Sequence, residues 1–249
     1  MKSENNHYLT LQTIIFSFFI RNIASQSKLS GGHHMTIDKQ LNLEIMQFVE
    51  TNILPQYTQF GRSHGLAHVK RVVEHSLQLA HTTGADINMA YVVAAYHDIG
   101  MSGHRAIHHI TGRKILEADQ RLRKWFTEQQ ISIMGEAVED HRASSSHAPR
   151  SIYGKIVAEA DRELEPDIVF LRTVLFGLEN YPEKSREEQW ERFLEHMDNK
   201  YSRNGYITLW IPNSPNHKHL QEIRRLLADK EELRRRFDQI YDEERKAVP

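Results

Sequence analysis

The chain has 249 residues, with 32 Lys+Arg against 33 Asp+Glu and a formal net charge of -1. Hydrophobic and charged fractions of 39% and 26% suit a packed core and exclude wholesale disorder, and the balanced charge argues against extended nucleic acid held by bulk positive charge. Cysteine is absent, which excludes disulfides, thiolate metal sites and cysteine nucleophiles, yet there are 16 histidines, ten of them between His64 and His147.

Residues 9–20 (LTLQTIIFSFFI) are apolar but shorter than the ~20 residues a membrane span needs, and they lack a clear cleavage signature. No membrane association is expected from them, and a cytoplasmic location is. Met35 follows Gly31-Gly32, whose codons can spell a purine-rich ribosome-binding sequence, so translation from Met35 is one reading. Residues 1–35 are therefore expected to lie outside the fold.

From Thr36 the pattern is helical. Ile37, Leu41, Ile45, Phe48 and Val49 recur at helical spacing, and Leu66 to Leu79 forms a second helix. INMAYVVAAY (87–96) is apolar nearly all round and predicts a central helix. Further helices are expected near 108–126, 128–141, 151–162, 165–179, 185–200, 217–228 and 229–246. YITLWI (206–211) is a short extended piece between Asn204-Gly205 and Pro212. The fold class is all-α: a multi-helix domain over 36–180 with a helical C-terminal extension over 181–249 packed on it.

The chemistry concentrates on these helices. His64, His68, Arg71 and His75 share one face at i, i+4, i+7 and i+11. The His97-Asp98 doublet ends the most apolar helix. His141 extends the stripe of Met134, Ala137 and Val138, and Asp161 extends that of Val157 and Leu164. Taken singly, a histidine on an apolar stripe reads as a hydrogen-bonded core residue, and Asp161 as a partner of Arg162 or Arg172. Together they read differently. A carboxylate buried without a partner costs several kcal/mol, and several such groups converging from separate helices are reconciled by a divalent cation.

The order resembles the HD-domain superfamily of metal-dependent phosphohydrolases, whose pattern is H…HD…D on an all-α core. SHGLAHVKRV (63–72) is similar to its first-histidine helix, AAYHDIG (94–100) to its doublet and AEADRE (158–163) to its final aspartate. The resemblance covers roughly 60–180. It implies His68, His97, Asp98 and Asp161 as ligands of a first metal. HHITG (108–112) and EDHRAS (139–144) are similar to the additional histidines of binuclear members, which implies His108 and His141 as further ligands, with Asp98 bridging. His109 competes with His108, because neighbours on a helix point ~100° apart. Gly65 stands where many members carry Asp, and the Gly-Tyr-Pro signature of the cyclic-di-GMP branch is missing.

The function this implies is hydrolysis of a phosphoester or phosphoanhydride in a nucleotide or similar small phosphorylated molecule. Mixed N/O donors suit one or two ions of Mn, Fe, Co or Zn, with Mg compatible. Such an ion lowers the pKa of its water toward ~7, and the resulting hydroxide attacks phosphorus while Asp98 orients it. Arg142 is the first candidate to meet the phosphate and assist catalysis. Arg105 and Lys155, with Arg113, are further substrate-binding candidates, and Arg71 fits a surface ion pair as well as a substrate contact. Two alternatives carry different tests: a di-iron oxygenase of the same fold, distinguished by oxygen-dependent turnover, and a non-catalytic metal- or nucleotide-binding module. Tyr201, Tyr206 and Trp210 are read first as core anchors and second as a stacking pocket. The Arg-rich run at 222–237 has interleaved acids and reads as a solvated or homo-oligomer-contacting face rather than a nucleic-acid surface.

Overall fold

The computed structural model describes residues 41–61, 64–143, 145 and 147–247. The readings of residues 1–35 and of the approach to the first helix lie outside them. Among the described residues the architecture is all-α, with no strand. By packing, the chain divides into two compact units. The first runs to Glu139 and takes in Arg150–Val157; the second comprises Asp140–Pro149 and everything from Ala158 onward.

In the first unit, α1 (Leu43–Asn52) starts where the Asn42 side chain accepts the N–H groups of Glu44 and Ile45. α2 (Leu66–Thr83) stops at Gly84, whose φ of 77° is the left-handed conformation glycine adopts without strain. α3 (Ile87–Tyr96) is capped by Asp86 and buries nine of its ten residues, Asn88 being the exception. Each fully buried large side chain on it contributes about 1.5–3 kcal/mol. α1 and α2 both pack on α3, which makes it the axis of the unit. Tight 3₁₀ turns at Ile99–Ser102 and Arg105–Ile107 lead into α4 (His108–Ala118).

The helix expected over 108–126 ends at Ala118. Asp119 accepts the N–H of Arg121 with its side chain and starts a 3₁₀ turn, Gln120–Lys124, instead of continuing the helix. α5 (Glu128–Asp140) and α6 (Ile152–Ala160) follow.

In the second unit, α7 (Pro166–Asn180), α8 (Arg186–Tyr201), α9 (Pro215–Ala228) and α10 (Lys230–Ala247) share a core of Phe170, Val174, Phe193, Met197, Ile223 and Phe237. Ser185 and Glu188 form a reciprocal capping box at the start of α8. The sequence reading placed a domain boundary at 180; packing groups α7 with the C-terminal helices, because its Val169, Phe170 and Val174 stripe belongs to that core. Tyr201 is buried there as well. The Arg-rich run is neutralised locally: Arg225 pairs with Glu222, Arg235 and Arg236 with Glu232, and Arg234 with Glu187 and Asp238. YITLWI is irregular and not a strand, tied to the end of α8 by N–H bonds from Tyr206 and Ile207 to the Asn199 and Lys200 carbonyls. No helix among the described residues is long and apolar enough to cross a membrane.

Candidate metal centre

The site of the first unit grows from the end of α3. His97 is still helical, and Asp98 breaks the helix with φ -106° and ψ 6°, a sparsely populated conformation common at functional sites. The Tyr57 hydroxyl, fully buried, fixes this exit by donating to the Ala95 carbonyl at 2.9 Å and accepting the Asp98 N–H at 3.2 Å. Asp98 is itself buried at 2% exposure.

Four imidazoles surround that carboxylate. His64 Nδ1 lies 2.7 Å from Asp98 Oδ2, His97 Nε2 3.3 Å and His68 Nε2 3.5 Å from the same oxygen, and His108 Nε2 3.4 Å from Oδ1. The His64, His68 and Asp98 donor atoms lie within 4.8 Å of one another, a spacing that can hold a metal ion.

Hydrogen bonding assigns the protons. His97 Nδ1 lies 2.7 Å from the Ala94 carbonyl, and His108 Nδ1 lies 2.8 Å from the Arg105 carbonyl. Only an N–H can face a carbonyl so closely, so in the neutral rings each Nε2 bears a lone pair. The His108 lone pair faces Asp98 Oδ1 at 3.4 Å, while that of His97 lies 3.1 Å from His68 Nε2 as well as 3.3 Å from Asp98 Oδ2. At His108, acceptor against acceptor is repulsive unless a proton or a cation lies between them. A ring whose Nδ1–H is held by a carbonyl is also the ordinary arrangement of a metal-ligating histidine. The donor set therefore fits a divalent cation.

The other two rings are fixed from outside by arginines. A guanidinium only donates. Arg71 Nη2 is 3.2 Å from His68 Nδ1, which leaves the His68 proton on Nε2, 3.1 Å from His97 Nε2. Arg105 Nη2 is 3.4 Å from His64 Nε2, so His64 Nδ1–H donates to Asp98. Arg71 and Arg105 thus sit beside the histidines. Arg113 does not: it is clamped by Glu117 and Glu139, each at 2.8 Å. Lys155 is half-buried on α6.

A glycine permits the approach of α4. A Cβ on Gly100 would fall 2.0 Å from the His108 carbonyl oxygen and 2.6 Å from the Gly112 nitrogen. The absent side chain lets His108 reach Asp98. Of the adjacent pair, His108 is the ring brought to Asp98, with the His109 ring 5.6 Å away edge-on to it. At Gly65, where the resemblance led one to expect Asp, a Cβ would come within 3.3 Å of the Gly61 carbonyl. The glycine is matched to a close backbone approach at the start of α2.

His64 was not singled out as a ligand from sequence. Its signal was the four-residue spacing to His68, but it precedes the helix, so the helical face alone did not place it. Tyr57 carried no signal at all. The remaining candidates lie in the second unit: His141, buried, follows α5, and Asp161, half-buried, follows α6. Arg142 is half-buried and lines a cavity there.

Residues 65–164 match the model of the HD domain family. They are an HD domain. The match spans the His68 helix, the His97-Asp98 doublet and Asp161. No curated protein matches the chain. Among solved structures, the crystal structure of a predicted HD superfamily hydrolase from an uncultured Thermotogales bacterium is similar at 25% identity and a TM-score of 0.39, over 48% of this chain. The chain spans 65% of the length of that structure.

Proposed function

We propose that this protein is a phosphohydrolase that cleaves a phosphoester or phosphoanhydride in a nucleotide or similar small phosphorylated molecule. The observation that supports it most is the convergence of four imidazoles on one buried carboxylate, His64, His68, His97 and His108 around Asp98, with the His108 lone pair turned toward it. His68, His97, Asp98 and Asp161 would hold one divalent cation, and His108 and His141 would extend the set to a second. Mixed N/O donors favour Mn, Fe, Co or Zn. When bound, such an ion acidifies water and neutralises charge on phosphoryl oxygens.

The residues of the chain do the remaining work. Asp98, held by the His64 N–H and by its own N–H on Tyr57, keeps a fixed orientation and offers an oxygen to each side. Coordination through His68 Nε2 requires the proton on Nδ1, which ends the Arg71 contact and turns that guanidinium toward another acceptor; a substrate oxyanion is one. Arg105, exposed beside His64, is a second cation for the phosphate. Arg142 and Lys155 are further candidates to meet charge on the leaving group.

Hydrolysis of a chromogenic phosphoester with Mn²⁺ or Fe²⁺, in wild type and Asp98→Ala, tests the reading. Loss of the carboxylate should lower the rate by more than the ~10–100-fold typical of losing an outer partner of a metal ligand. Equal rates in the two proteins remove the assigned site.

A further inference from the structure

The second unit contains a cavity of about 170 Å³ whose wall brings Arg142 and Arg162 together with Tyr206, Thr208 and Trp210, and with Asp140 at one side. Its wall is firmly built. Glu159, fully buried, accepts the Trp210 N–H at 2.7 Å on one oxygen and the Ser214 hydroxyl on the other. The Asn216 amide donates to the Glu159 carbonyl at 2.9 Å, and Arg162 Nη1 donates to the Thr208 carbonyl. The 208–216 segment is thereby tied to the end of α6, and Trp210 and Thr208 are held in place.

Arg162 is nine-tenths buried, and its Nε has no hydrogen-bond partner among the described residues; the same is true of buried Trp210 Nε1. Unmet buried donors are rare, and each costs about 1–3 kcal/mol, more when charged. The one carboxylate on the wall, Asp140, lies 3.9 Å from His147 Nδ1. Arginine forks match the oxygens of a phosphoryl group in a way a point charge does not. The cavity is smaller than the ~300–1,000 Å³ of sites for whole small molecules, so it takes a group rather than an entire nucleotide. Tyr206, 56% exposed, offers a ring beside it.

We propose that this cavity is a phosphoryl-binding subsite, in which Arg142 and Arg162 grip the oxyanion and Trp210 Nε1 supplies a further donor. The proposal deepens the phosphohydrolase reading and rests on it only for where the phosphoryl group comes from. Binding can be measured without turnover.

The test uses the full chain stripped of metal by a chelator, with inorganic phosphate and AMP as probes, followed by isothermal titration and by tryptophan fluorescence. Saturable binding is expected in wild type and equally in Asp98→Ala. Arg142→Ala should weaken it about tenfold, the loss of one charge-assisted contact. Arg162→Lys, which keeps the charge and removes the fork, should weaken it as well, and Trp210→Phe should abolish the fluorescence response. AMP binding tighter than phosphate assigns the subsite to an organic substrate with its ring at Tyr206, and equal affinities assign it to free phosphate. No saturable binding, unchanged affinity in Arg142→Ala, or loss of binding in Asp98→Ala overturns the proposal. Intact phosphate binding in a protein that hydrolyses nothing would remove the phosphohydrolase reading and leave the subsite standing.

Discussion

His64 Nδ1 donates to Asp98 Oδ2 at 2.7 Å, and Arg105 reaches the far side of the same ring, Nη2 to Nε2, at 3.4 Å. The arginine fixes the tautomer, and the tautomer fixes the carboxylate. A carboxylate that must serve as ligand benefits from such an outer partner. His64→Ala should therefore lower Mn²⁺ affinity about 10–100-fold in isothermal titration. His64→Asn places an amide N–H near the position of Nδ1 and should restore most of the loss. Equal affinities in wild type and His64→Ala would leave the ring without this role.

Gly100 tests how closely α4 must approach. A methyl there collides with the backbone of His108 and Gly112, and neither can move without moving the helix. Gly100→Ala should cost about 1–3 kcal/mol of stability, the usual penalty of overpacking. It should also weaken metal binding, because His108 is displaced from Asp98. Urea denaturation and metal titration measured on the same sample check both effects. A stability loss with metal affinity unchanged would separate His108 from the ion.

Metal binding should stabilise the fold directly. A ligand held by the native state alone adds about 2.7 kcal/mol at a hundredfold excess over its Kd. A Mn²⁺-dependent rise in Tm is expected in wild type and not in Asp98→Ala. A rise of the same size in both proteins would place the ion elsewhere.

Glu139 supplies a pH dependence away from the metal. The Arg150 guanidinium first, and Arg113 with it, hold its carboxyl below the ordinary value of 4.5. Because the folded pKa is the lower one, the stabilisation is present above about 4.5 and is lost as pH falls through the folded value. Glu139→Gln should be less stable than wild type at neutral pH, and the difference should shrink on acidification. A gap in Tm that stays constant down to pH 3 would contradict the sign.

Legibility from sequence differed by residue. The doublet His97-Asp98 was readable because it ends INMAYVVAAY, a segment apolar on every side, so whatever follows it begins next to the core. His68 was readable from its local context. His108 over His109 was not decided by sequence, since both sit in the first turn of α4; the close approach permitted by Gly100 brings His108 to Asp98. Tyr57 was invisible, because one hydroxyl in a 3₁₀ turn, bonded 38 residues away, leaves no periodic trace. The aromatic trio of the C-terminal part separated only in three dimensions: Tyr201 is core, while Tyr206 and Trp210 line a cavity.

By itself, the sequence determined the all-α class, the absence of thiolate chemistry and the order of a His/Asp donor set. Those follow from hydrophobic period and residue type, which are local properties. Tertiary structure alone decided that His64 and His68 reach Asp98, that Arg105 stands beside His64, and that α7 packs with the C-terminal helices. These depend on distances between residues tens of positions apart, and helical periodicity carries no information about them.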